Sequence, residues 1–162
     1  MKIKFSLRDL NFLRGWMVKK ETKIRVVETG VDKGLGPCVL IRALMKNKED
    51  GYEGYYYGTD IDRDDGYLLA SEQKEFGKVL YGDSIESLKR LNKGIDIFIN
   101  DTDHSSEYEA NEYLTVETKL SKSAIVLGDN SHVTDKLLEF SLKTGRHFIF
   151  FQEKPLNHWY PA

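Results

Sequence analysis

Two short stretches carry residue types that do chemistry. In Ile95-Asp-Ile-Phe-Ile-Asn-Asp-Thr-Asp-His104 an apolar run passes straight into Asp101, Asp103 and His104. In Ala124-Ile-Val-Leu-Gly-Asp-Asn130 a second apolar run ends on Asp129 and Asn130, with Ser131 and His132 next. Carboxylate and carboxamide oxygens are hard donors that suit Mg²⁺, and also Mn²⁺ or Ca²⁺, with water and substrate completing the shell. A cation so held lowers the pKa of a hydroxyl and orients its oxygen. A histidine with an ordinary pKa of about 6.5 can then take the proton. Asp101, Asp129 and Asn130 are therefore the metal-ligand candidates, and His104 is the general-base candidate. Asp103 fits a helix cap or a brace for His104 as well as it fits a ligand, and His132 fits a helix start. Asp129-Asn130 can also be read as a plain turn. The single cysteine, Cys38, leaves no Cys/His set for a structural zinc.

The elements that deliver these groups are legible as an alternation. Short apolar runs rich in β-branched and aromatic residues occupy 24–29, 55–59, 79–81, 95–99, 124–127 and 147–151. Between them lie segments with helical spacing: Val39 to Met45; Ile85, Leu88 and Leu91; Tyr113, Val116 and Leu120; and Val133, Leu137 and Phe140. Ser106 followed by Glu109 has the form of a capping box and predicts a helix start there. Strands alternating with helices imply βαβ units and a mostly parallel sheet covered on both faces. The last run is followed by Lys154-Pro155 and His158-Trp159-Tyr160 after a turn rather than a helix, which predicts an antiparallel last strand. Leu10, Leu13, Trp16 and Met17 predict one helix in an N-terminal segment, 1–23, ahead of a single domain over 24–162.

In such sheets ligands bind outside the carboxyl ends of the strands. The first strand ends in Val27-Glu-Thr-Gly-Val-Asp-Lys-Gly-Leu-Gly-Pro37, an acid followed by glycines. Its spacing differs from the G-x-G-x-x-G dinucleotide fingerprint, and a strand-to-helix turn alone also calls for glycine. The second strand ends in Gly58-Thr-Asp60, a carboxylate placed to accept two ribose hydroxyls or to cap a turn. The third ends in Gly82-Asp83-Ser84, where Asp83 can accept from an exocyclic amine and Ser84 reads as a helix N-cap.

The series E-T-G-V-D-K-G, G-T-D, G-D-S and I-N-D-x-D-H resembles the class I S-adenosylmethionine-dependent methyltransferases from Ile24 onward. The resemblance implies a Rossmann-like α/β three-layer sandwich with a seven-stranded sheet whose last strand is antiparallel. It implies that Glu28, Gly30 and Gly34 hold the methionine part of the cofactor, with Asp60 on the ribose, Asp83 near the adenine amine and Asp101 at the cofactor's edge. D-x-D-H followed by the Asp129-Asn130 pair is similar to metal-dependent O-methyltransferases that act on sugar hydroxyls. Catechol-type enzymes usually carry lysine where this chain has His104. The implied activity is methylation of a small-molecule or sugar hydroxyl, with S-adenosylmethionine and a divalent metal, Mg²⁺ first, as cofactors.

Bulk properties set the outer bounds. At 162 residues the chain is one domain's worth of protein. With 40% hydrophobic and 31% charged residues and a net charge of −2, it gives no general support for nucleic-acid or membrane-surface binding. There is no apolar run of bilayer-spanning length and no signal-peptide pattern at the N-terminus, so a cytoplasmic location is expected. The chain lacks an insertion large enough for a substrate cap, which leaves room for a homo-oligomer that completes the acceptor site. A methyltransferase-like module that binds cofactor or nucleotide without turnover is the alternative. A nicotinamide-dependent oxidoreductase is disfavoured by the glycine spacing.

Overall fold

The computed structural model describes residues 23–103, 105–129, 131 and 133–150. In chain order the elements are β1 (Ile24–Thr29), α1 (Leu35–Glu49), β2 (Gly54–Asp60), a 3₁₀ turn (Ser71–Glu75), β3 (Gly77–Tyr81), α2 (Ser84–Arg90), β4 (Ile95–Asn100), α3 (Ser106–Glu117), β5 (Leu120–Gly128) and α4 (Lys136–Thr144). The strands form one sheet in the order β3-β2-β1-β4-β5, and every pairing is parallel.

The central strands are apolar because both of their faces are covered. Every residue of β4 is buried, and only Arg25 of β1 is partly exposed. On one face Ile24, Val26, Tyr56, Ile97 and Ile99 pack with Leu40, Ile41 and Leu44 of α1. On the other, Val27, Ile95 and Phe98 pack with Leu88 of α2, Tyr113 and Val116 of α3, and Leu137 and Phe140 of α4. Tyr113 stacks on Phe140 with ring centroids 5.2 Å apart and meets Phe98 edge-on at 6.2 Å. Truncating the fully buried Phe98 to alanine removes the middle of this cluster, a change that costs about 3–5 kcal/mol.

The parallel, helix-covered α/β sheet expected from the alternation is present, with five strands among the described residues. Residues 147–150 of the last apolar run form no strand, and Phe151 and the segment after it lie outside the described residues. The expected N-terminal helix through Leu10 to Met17 also lies outside them. Among the described residues no helix is long and apolar enough to cross a membrane. The strand order reverses between β1 and β4, which opens a crevice above their carboxyl ends. The register sets Thr59, Thr29, Asn100 and Gly128 side by side along that edge, so the residues that follow them meet there.

Candidate functional site

β1 places Glu28 one residue before its end, on the face covered by α1. The carboxyl group is 3% exposed, and the Tyr56 hydroxyl donates to Glu28 Oε2 at 2.5 Å. A Cβ on Gly36, in the first turn of α1, would lie 2.5 Å from Glu28 Oε1, so that turn runs against the carboxyl group. Burial pushes the Glu28 pKa up to about 7, against the lowering effect of the Tyr56 hydrogen bond.

The chain then turns through Gly30 at φ 81°. A side chain there would collide with the Asp101 carbonyl, so only glycine lets the loop lie backbone-to-backbone on the end of β4. Gly30 N–H donates to Thr59 O and Asp101 N–H to Thr29 O, both at 2.9 Å. Gly34, at φ 97°, is the N-cap of α1, and no side chain caps that helix. Its first N–H groups are left to a ligand or solvent, at the positive end of a 15-residue helix. Asp60, at the end of β2, fastens this loop: its Oδ2 accepts from Val31 N–H at 3.0 Å and Asp32 N–H at 3.1 Å, and its Oδ1 from Asp62 N–H at 3.0 Å. Asp32 itself sits at φ 44°, a left-handed conformation that aspartate tolerates better than most residues. The segment after β2 folds back on the loop, with Gly66 N–H donating to Asp32 O at 2.7 Å and Leu68 N–H to Lys33 O at 3.1 Å. It carries an apolar rim in which Ile61, directly after Asp60, is 83% exposed and Tyr67 is 64% exposed.

At the third strand end the helix cap falls one residue earlier than expected. Asp83, not Ser84, is the N-cap of α2, accepting from Glu86 N–H at 2.8 Å. Its other oxygen accepts from the Tyr108 hydroxyl at 3.1 Å. Ser84 is buried and donates to Glu112.

β4 and β5 bring the two central acids together. Asp129 N–H donates to Asn100 O at 3.1 Å, and the Asp101 and Asp129 carboxyl groups share a hydrogen bond. Desolvation first, then the charges of Asp129 and Glu28, push the Asp101 pKa up to about 8. Such a pair of hard oxygen donors, held together against mutual repulsion, suits a divalent cation. Among the described residues no group of three or more His, Cys, Asp or Glu side chains is poised to hold a metal. His104, Asn130 and His132 lie outside the described residues, so the proposed base, third ligand and flanking histidine have no geometry. Asp103 accepts from Ser105 N–H at 2.8 Å in the turn that starts α3, in keeping with a supporting position.

Three residues near the site were not singled out as functional by their sequence. Tyr56 lies in β2, and its hydroxyl donates to Glu28. Tyr108 donates to Asp83, and its hydroxyl oxygen lies 2.9 Å from Ser84 Oγ. Glu112 is fully buried beneath the strand ends. A signal for it existed: Glu109 and Glu112 occupy the helical face of Tyr113 and Val116, where a charge is unexpected. Two half-open surface pockets, each of about 160 Å³, lie away from the strand ends. One is between α3 and α4 beside Leu114 and Lys136, and the other is at the opposite edge of the sheet beside Lys23 and Tyr55.

Residues 27–131, more than half of the chain, match a family described as a methyltransferase domain. Among curated proteins none matches the sequence at a significant level. Solved structures share the fold. The S-adenosylhomocysteine-bound Podospora anserina methyltransferase PaMTH1 aligns at a TM-score of 0.58 and 17% identity, over 78% of this chain and 53% of that one. A putative rRNA-methylase from Clostridium thermocellum aligns at 0.60 and 17% identity, over 88% and 82%. MycE of the mycinamycin biosynthetic pathway, in complex with Mg, S-adenosylhomocysteine and mycinamycin VI, aligns at 0.59 and 17% identity, over 86% and 44%. The chain thus spans about half the length of PaMTH1 and less than half that of MycE. With the strand-end acids and the glycine loop in the order described, the family match shows that this chain belongs to the methyltransferase-domain family, on a fold it shares with S-adenosylhomocysteine-bound methyltransferases.

Proposed function

We propose that the protein transfers a methyl group from S-adenosylmethionine to a hydroxyl of a small molecule or sugar, with a divalent metal assisting. The observation that carries the metal-assisted reading is the meeting of Asp101 and Asp129 at the switch point of the sheet. It is supported by the likeness in fold to MycE, whose structure holds Mg, S-adenosylhomocysteine and a macrolide.

The residues present fit the cofactor. The uncapped N-terminus of α1 and the Gly30–Gly34 turn offer backbone N–H groups to a carboxylate, and Glu28 offers an acceptor to an ammonium. Asp60 lies where ribose hydroxyls would exchange for loop N–H groups, and Ile61 offers an apolar face for a base next to it. Asp83 keeps lone pairs for an exocyclic amine beyond its cap and Tyr108 bonds. Bound there, S-adenosylmethionine supplies a methyl group already activated on sulfonium sulfur, and transfer to oxygen leaves S-adenosylhomocysteine. Asp101 and Asp129, with Asn130, would hold the cation, which would lower the pKa of the acceptor hydroxyl. His104 would take the proton of the acceptor hydroxyl as general base. The rest would be positioning of the acceptor against the methyl donor.

Thermal unfolding with and without Mg²⁺, in wild type and in Asp129→Ala, tests the metal. The expected result is a rise in Tm with Mg²⁺ in the wild type alone, and identical responses remove the metal from the mechanism. Transfer of labelled methyl from S-adenosylmethionine to sugar and phenol acceptors tests the base. On an accepted substrate His104→Ala should lose about 10²–10⁴-fold at neutral pH. Cofactor binding with no transfer to any acceptor would favour the binding-module reading.

A further inference from the structure

Glu112 is fully buried, and the reaction outlined above leaves it without a role. Its carboxylate accepts four side-chain hydrogen bonds. Ser84 Oγ donates to Oε1, and Asn100 Nδ2 and Thr102 Oγ1 donate to Oε2, the last at 2.7 Å. Thr29 Oγ1 approaches Oε2 at 3.4 Å and shares its hydrogen with the Ile99 carbonyl. Three of these donors converge on Oε2 and one on Oε1. The donors come from four separate segments: the end of β1, the start of α2, the end of β4 and the turn after it. Each donor is the chain neighbour of a candidate site residue. Thr29 precedes Gly30, Ser84 follows Asp83, and Asn100 and Thr102 flank Asp101. Tyr108, one turn earlier on α3, donates to Asp83, with its hydroxyl oxygen 2.9 Å from Ser84 Oγ.

Glu109 supplies an internal contrast. It is equally buried, three residues away on the same helix, yet among the described residues its donors are Tyr113 and Thr134, neither of which adjoins the strand-end site. Packing alone would account for both glutamates in the same terms, and it does not account for the choice of donors around Glu112.

We propose that Glu112 is the positioning residue of the cofactor site: one buried carboxylate that fixes the glycine turn, Asp83 and Asp101 relative to one another. Burial raises its pKa, while the four donors act in the opposite direction. Replacement by glutamine keeps the shape but sets an amide N–H₂ against donors and leaves buried hydroxyls unpaired. The segments then lose their common anchor, and α3, which begins just after the Asp101–His104 stretch, no longer transmits its rigidity to the site.

The proposal rests on cofactor binding at the strand ends, and its test separates the two. Glu112→Gln, Glu109→Gln and Thr102→Val are compared with wild type in full-length protein by amide hydrogen exchange and by calorimetric titration with S-adenosylhomocysteine. Glu112→Gln is expected to speed exchange across residues 29–31 and 100–103 and to weaken binding by about tenfold or more. Thr102→Val, which removes one donor at a half-buried position, should shift both readouts the same way by less. Glu109→Gln should lower Tm and leave both unchanged. Wild-type affinity and exchange in folded Glu112→Gln would overturn the proposal, as would an equal loss of affinity in Glu109→Gln. Should Glu112→Gln fail to fold, unchanged binding and exchange in Thr102→Val would overturn it. A wild type that does not bind S-adenosylhomocysteine removes the cofactor reading instead, and the exchange comparison still decides the role of Glu112.

Discussion

Glu28 is an acid that the fold holds away from water, and this makes its charge state part of the free protein's stability. Its folded pKa, about 7, stands above the ordinary value of 4.5, so the folded chain keeps a proton that the unfolded chain gives up. That contribution is fully present below about pH 4.5 and is lost as pH rises through about 7. Thermal melts of the free protein across that window should fall more steeply for wild type than for Glu28→Gln, and parallel curves would show that Glu28 does not titrate there. Gly30 gives a second test at this scale. Gly30→Ala places a methyl group against the Asp101 carbonyl at a positive φ, a strain of about 1–3 kcal/mol, so both Tm and affinity for S-adenosylhomocysteine should drop. The glycines and acids of the strand ends were legible because their types and order are themselves the signal. The division of labour between Asp83 and Ser84 was not. Both residue types cap helices well, and only the buried partner Glu112, distant in sequence, decides which one turns inward.

Elements were legible where burial is symmetric. β1 and β4 coincide with their apolar runs to within one residue because both faces of each strand are covered. β5 begins at Leu120 rather than Ala124, since Ser121-Lys122-Ser123 lies in the half of the strand with little burial and carries no apolar pattern. The start of α3 was read one residue late and by the wrong device. Ser105, not Ser106, caps the helix, and Glu109, read as the returning half of a capping box, is turned into the core toward Tyr113 and Thr134. The capping of α2 predicts that Asp83→Ala costs about 1 kcal/mol, whereas Asp83→Asn retains most of the stability because asparagine caps equally well. Differential scanning calorimetry would show the difference as about 2–4 °C in Tm. Equal losses in the two variants would assign the effect to the Tyr108 bond rather than to the cap.

At the scale of the whole molecule, the parallel order β3-β2-β1-β4-β5 carries the described candidate residues to the carboxyl edge of the sheet. The α/β class and the methyltransferase family were legible from the alternation and from the acids at successive strand ends, and the match over residues 27–131 agrees with them. A last strand over 147–151 is expected from its apolar run, and a seven-stranded sheet from family resemblance. Among the described residues the sheet ends at β5. A chain that fastens its glycine turn through Asp60 should bind S-adenosylhomocysteine and not NAD, since its loop lacks the dinucleotide spacing. The most direct measurement is calorimetric titration of wild type and Asp60→Ala with S-adenosylhomocysteine. One-to-one binding in the wild type, weakened about tenfold or more in the variant, is the predicted result. No binding by the wild type, or the same affinity in both proteins, would contradict a cofactor site built on the ends of β1, β2 and β4.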